Sequence, residues 1–176
     1  MNLEHKFCAL GTDVTVIDGT TISGYASLFG KADQGGDTVE RGAYQASLAK
    51  TRSIKMLWQH DPAQPIGVWD EVREDERGLW VKGRLLTDVA KGREAASLIG
   101  AGAIDGLSIG YRTVKTRKDD KGGRLLSELE LWEVSLVTFP MLPDARVGAK
   151  GDDPSATAMR DLAAAFESAR RLMARD

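Results

Sequence analysis

Residues 66–86, "IGVWDEVREDERGLWVKGRLL", constrain the fold more than any other stretch of the chain. Val68, Val72, Leu79, Val81 and Leu85 supply apolar positions about a charged turn that ends in Gly78. That is the pattern of a β-hairpin with one face toward a core. The strand pattern recurs on both sides of it. Residues 7–29 read as two strands around "DGTT", and "IKMLWQH" reads as a compact strand that "DPAQP" stops, since proline lacks a ladder donor. Residues 107–116 and 124–139 read as two more strands joined by "KDDKGG". Helical signals are fewer. "DVAKGREAASLIGAG" is the best helix, with Asp88 as N-cap, Gly100 or Gly102 as terminator, and Val89, Ala95, Ala96, Leu98 and Ile99 as its core face. A short helix is expected near Ala43–Lys50. About seven strands against two or three helices predict an α+β, β-rich domain. Its expected form is an antiparallel barrel of about seven strands, closed or nearly closed, with surrounding helices.

With 176 residues the chain makes one domain and an appendage. The domain is expected over residues 1–147, followed by a flexible linker at 148–154, "GAKGDDP". Residues 155–176 then form a C-terminal amphipathic helix with Met159, Leu162, Ala163, Phe166 and Leu172 along one side. A net charge of −2 gives no general affinity for nucleic acid or an anionic membrane. The local basic cluster "YRTVKTRKDDKGGR" contains two aspartates and reads as a solvated hairpin. Cys8 is the only cysteine, so no internal disulfide or cysteine-based metal site is available. His5 and His60 are the only histidines, which leaves a zinc site dependent on carboxylates. No metal or organic cofactor is called for. The N-terminus lacks a basic-then-apolar signal pattern and no apolar run reaches membrane length, so intracellular synthesis is expected.

Chemistry enters at "GLSIGY", residues 106–111. Gly106, Ser108 and Gly110 match G-x-S-x-G, the nucleophile elbow of many serine hydrolases. The elbow needs a helix after the serine and a base histidine downstream of it. Here "IGYRTVKT" is β-patterned and no histidine follows position 60, so the α/β-hydrolase arrangement is excluded. A nucleophilic serine still requires a base oriented by a third group. His60 ends an apolar strand before "DP", whereas His5 lies close to the chain's start. For the third group, the alternation of "ELELWEVSLVTF" puts Glu133 and Ser135 on one face with Leu129, Leu131, Val137 and Phe139. A carboxylate on an apolar face needs a partner. An imidazolium at His60 would be one; an ion pair with Arg84 or Arg112 would be another.

Together these segments resemble the prohead maturation proteases of HK97-type tailed phages, prophages and gene transfer agents. The resemblance runs from about Ile22 to Val147 through "GYASLFGKADQGGDTVERGAY", "MLWQHDPAQPIGVW", "GLWVKGRLL", "GLSIGY" and "LWEVSLVTFPMLPDA", in the family's order. That family is similar in fold to the herpesvirus assemblins, serine proteases on a helix-wrapped β-barrel. The resemblance implies that Ser108 is the nucleophile and His60 the general base. It also implies that Glu133 stands where the herpesvirus enzymes use a second histidine, with Asp61 as the competing acid. The implied substrates are the scaffolding portion of the major capsid protein and the protease itself, inside an assembling prohead in the host bacterial cytoplasm. Pairing of two copies through the 89–99 helix is a further expectation. Two rival readings are a non-catalytic capsid-assembly or scaffolding protein on the same fold, and an unrelated β-barrel binding module using the Gly30–Gly36 loop.

Overall fold

In the computed structural model the described residues are 19–33, 35–50, 53–119 and 122–138, with the backbone of short strands at 4–7, 14–17 and 147–148. The expected linker and C-terminal helix lie outside them. The elements begin with β1 (Glu4–Phe7), β2 (Val14–Ile17), β3 (Thr21–Leu28), β4 (Asp37–Val39), α1 (Gln45–Leu48) and β5 (Lys55–Trp58). They continue with β6 (Asp61–Glu74), β7 (Gly78–Leu85), α2 (Ala90–Gly100), β8 (Gly106–Lys118), β9 (Arg124–Val137) and β10 (Val147–Gly148).

All ten strands join one sheet in the order β1-β8-β9-β5-β6-β7-β3-β2-β10, with β4 added on β9. No pairing among the described residues joins the two ends of this path. The sheet curls until β3 approaches β8 and β1, forming a half-barrel. Three expectations are corrected here. Ten strands replace about seven, because β1, β4 and β10 have only four, three and two residues and are too short to show a period. The sheet is mixed, since β5 and β4 run parallel to β9 and β10 parallel to β2. And "DPAQP" does not stop a strand: β6 begins at Asp61 and carries Pro62 and Pro65. Proline is tolerated there because β6 pairs with β7 only from Gly67 onward, leaving an edge beside the prolines.

One apolar cluster fills the concave side, built around Ile22, Met56, Leu79, Ile109, Tyr111 and Leu136. Between its β4 and β5 pairings, β9 is satisfied by the α1 region. The Leu129 N–H donates to the Ala43 carbonyl and the Leu131 N–H to Ser47 Oγ at 2.8 Å, so these two backbone donors are paired where no strand lies beside them. Helix α2 also departs from expectation. Val89, not Asp88, is the N-cap, and it makes no side-chain cap. The buried face is Gly92, Ala95 and Ile99, while Val89 and Leu98 are 41% and 36% exposed. Gly92 sets this phase. A Cβ there would meet the Leu86 carbonyl oxygen at 2.2 Å and that of Ile66 at 2.8 Å. A glycine contact adds nothing to a hydrophobic pattern, so the sequence hides it. The basic cluster on β8 is paired with acids: Arg112 with Glu130, Lys115 with Glu128 and Arg117 with Glu40.

The β6–β7 turn carries an acid-sensitive element. Burial tends to raise the Asp75 carboxyl, but it is outweighed by donation from the Arg77 N–H, the Tyr25 hydroxyl, the Gly78 N–H and Arg73, so Asp75 lies below the usual carboxylate range. Its folded pKa is thus lower than its unfolded one. The stabilisation it gives is complete above about pH 4 and is lost as pH falls further. Thermal melts should therefore show Asp75→Asn losing less stability than wild type between about pH 5 and pH 2. Parallel acid profiles would contradict this.

Candidate active site

The site forms where β9 runs between β8 and β5. Ser135 lies opposite Ser108 of β8 and opposite Leu57 of β5. Glu133 lies opposite Gly110. The neighbouring pairs Ile109 with Val134 and Leu107 with Leu136 belong to the apolar core. Alternation therefore puts Ser108, Gly110, Glu133 and Ser135 together on the other face of the sheet.

This corrects the simple alternation of "ELELWEVSLVTF". Leu131 pairs with Tyr111 and Glu133 with Gly110, so β9 holds one extra residue, Trp132, against β8. Such a bulge reverses the parity of everything after it. Leu129 and Leu131 face the core, whereas Glu133 and Ser135 face away from it.

His60 reaches this face from a two-residue connection between β5 and β6. Trp58 pairs with Asp61, and the residues between them, Gln59 and His60, have φ of 51° and 63°. Positive φ at both central positions is what a type I′ hairpin turn requires, and Asn-Gly is its usual sequence. Gln-His is strained there, on the order of 1–2 kcal/mol per residue. Bonds from several directions hold the turn in this form. The Gln59 N–H donates to the Leu136 carbonyl at 2.9 Å and Gln59 Nε2 to Thr138 Oγ1 at 2.7 Å. The His60 N–H donates to Ser135 Oγ at 3.2 Å.

The imidazole bridges the other two residues. Its Nε2 lies 2.7 Å from Ser108 Oγ and its Nδ1 2.6 Å from Glu133 Oε1. With the Nδ1 proton donated to the carboxylate, Nε2 is left as the acceptor facing the serine hydroxyl. Glu133 is 3% exposed and Ser108 is fully buried. A buried carboxylate held against an imidazole and a hydroxyl can stabilise an imidazolium that forms beside it.

The alternatives left open by the sequence find other partners. Asp61 accepts from the Ala63 N–H at 2.8 Å and from Gln64 Nε2 at 2.6 Å. Arg84 pairs with Asp70 and Arg112 with Glu130. The Gly30–Gly36 loop is tied down by its own backbone, through Gly30 to Val39, Asp33 to Asp37 and Gly36 to Asp33. Among the described residues no group of three or more His, Cys, Asp and Glu side chains is arranged to hold a metal, and no helix is long and apolar enough to cross a membrane.

The second glycine of G-x-S-x-G has a physical reason unrelated to an elbow. A Cβ on Gly110 would lie 2.0 Å from Glu133 Oε1, the oxygen that meets His60. Gly110 is the clearance through which the acid reaches the base. The sequence shows Gly110 in the motif and Ser135 beside Glu133 but gives neither a role, since both roles arise only from strand register.

Comparison with known proteins agrees with this architecture. The sequence pattern of the Caudovirus prohead serine protease family matches residues 12–160. The prohead protease of Enterobacteria phage HK97 is 32% identical over 146 residues, covering 79% of this chain and 64% of that protein. The prohead protease of Escherichia phage T5 is 31% identical over 130 residues, covering 70% of this chain and 60% of that protein. The chain thus spans less than two thirds of the length of these curated relatives. In fold it is similar to the bacteriophage T4 capsid assembly protease, with a TM-score of 0.62 and 15% identity over 79% of this chain and 98% of that one.

Proposed function

The chain belongs to the Caudovirus prohead serine protease family, and from that premise we propose that it is a serine endopeptidase of capsid maturation. Its substrates are the scaffolding portion of the major capsid protein and its own C-terminal segment between about Ala145 and Ala158. It acts inside the assembling prohead, in the host bacterial cytoplasm. The observation that carries this reading is the unbroken chain Ser108 Oγ–His60 Nε2 and His60 Nδ1–Glu133 Oε1, at 2.7 and 2.6 Å.

In this mechanism Ser108 Oγ attacks the scissile carbonyl while His60 Nε2 takes its proton. Glu133 stabilises the resulting imidazolium and fixes the ring. His60 then protonates the leaving amine, and a water molecule, deprotonated by the same nitrogen, hydrolyses the acyl-enzyme.

Co-expression with the capsid precursor, followed by intact-mass measurement, tests the proposal. Wild type should shorten the precursor and lose roughly twenty to thirty of its own C-terminal residues, since "GAKGDDPSA" is composed almost entirely of small and polar residues. Ser108→Ala should leave both whole. A precursor that stays intact with folded wild-type protein would overturn the protease assignment, and a full-length protease that cuts the precursor would overturn self-trimming alone.

A further inference from the structure

We infer that Ser135 is a positioning residue that locks the acid and the base to each other, an inference that rests on the hydrolytic reading of Ser108, His60 and Glu133. Its hydroxyl is fully buried and makes two bonds. It donates to Glu133 Oε2 at 2.5 Å and accepts the His60 backbone N–H at 3.2 Å. A hydroxyl has one proton and two lone pairs, so both bonds hold at once. The side chain therefore grips the acid through its carboxylate and the base through its main chain.

Each bond has a separate consequence. The two oxygens of Glu133 are divided, Oε2 to Ser135 and Oε1 to His60 Nδ1. Bonds to a carboxylate are short and strong, and this one occupies the oxygen that the imidazole does not use. Without it Oε2 loses this donor, the carboxylate is held less firmly, and the ring bonded to Oε1 follows any rotation. The second bond gives the N–H of His60 an acceptor at a residue held at φ of 63°. It thus helps to keep the imidazole over the sheet despite the strain of the turn. Register fixes the arrangement: Ser135 stands directly opposite Ser108, between the strand of the nucleophile and the strand that leads to the base.

Ser135→Ala removes the hydroxyl with almost no change of volume, and Ser135→Thr retains it. Three readouts decide the matter: the rate at which a fluorophosphonate labels Ser108, the thermal midpoint, and the proton NMR resonance of His60 Nδ1–H. His60→Ala identifies that resonance, since only His5 could otherwise contribute. Labelling of Ser135→Ala is expected to be about tenfold to a hundredfold slower than wild type, the range expected when a buried polar group loses its partner. The Nδ1–H resonance should shift, the thermal midpoint should fall by several degrees while the protein stays folded at the labelling temperature, and Ser135→Thr should recover most of the rate. A Ser135→Ala protein with wild-type labelling and an unmoved resonance would overturn the inference. So would a rate loss matched by unfolding. If wild type itself resisted labelling, the hydrolytic reading would fall, and the resonance alone would still decide whether Ser135 positions the pair.

Discussion

Ser108→Ala is expected to abolish cleavage of the capsid precursor while the domain stays folded. The change deletes one oxygen from a fully buried position and leaves the backbone pairing of β8 with β1 and β9 untouched. Loss of a nucleophile of this kind costs ~10⁴-fold or more in rate, equivalent to about 5.5 kcal/mol of transition-state stabilisation. His60→Ala should be comparably inactive, but it also places alanine at a positive φ and should weaken the turn. His60→Asn separates the two effects, because asparagine tolerates the left-handed region. The Ser108→Ala/His60→Ala double variant should be no slower than either single one, as residues acting as a unit are not additive. Precursor cleavage by Ser108→Ala at near the wild-type rate would refute the mechanism.

Gly110→Ala should reproduce the loss of the acid without touching the acid itself. The added methyl would occupy the space of Glu133 Oε1. The end of a side chain is what must give way, so the sheet survives while the carboxylate leaves His60 Nδ1. Glu133→Gln removes the charge that stabilises the imidazolium. Each should slow cleavage by about 10²- to 10⁴-fold, and combining them should add little, since both break one contact. Asp61→Asn should have a much smaller effect, because the Asp61 carboxylate is engaged by Ala63 and Gln64 within its own turn. Measured kcat/KM for the four variants checks this. A loss at Asp61 equal to that at Glu133, or wild-type activity in Gly110→Ala, would contradict the assignment of the acid.

How far the sequence could be read follows from which interactions leave a periodic trace. The long pairs β6–β7 and β8–β9 were legible because their strands have 8 to 14 residues, enough for alternation to emerge. The meeting of Ser108, His60 and Glu133 was legible through the need of a buried carboxylate for a partner and through family resemblance. Three features were not. The Trp132 bulge leaves every residue type in place and only shifts register, so alternation alone puts Glu133 on the face of Leu129 and Leu131, the opposite of where the register places it. The turn at Gln59 and His60 has no Asn or Gly to announce positive φ; tertiary hydrogen bonds impose it. The phase of α2 is set by Gly92, which has no side chain to count. The open, mixed sheet was hidden for a related reason. Parallel pairing of β5 with β9 joins segments 78 residues apart and leaves no local signal.

The central claim is that Ser108 is a nucleophile activated by His60 and Glu133, and a fluorophosphonate probe tests it most directly. Full-length wild-type protein should take up one probe per chain, and peptide mass spectrometry should find it on Ser108. The Ser108→Ala protein should take up none, and His60→Ala and Glu133→Gln should label far more slowly. Folded wild-type protein that stays unlabelled, or that carries the probe on another serine, would contradict the account.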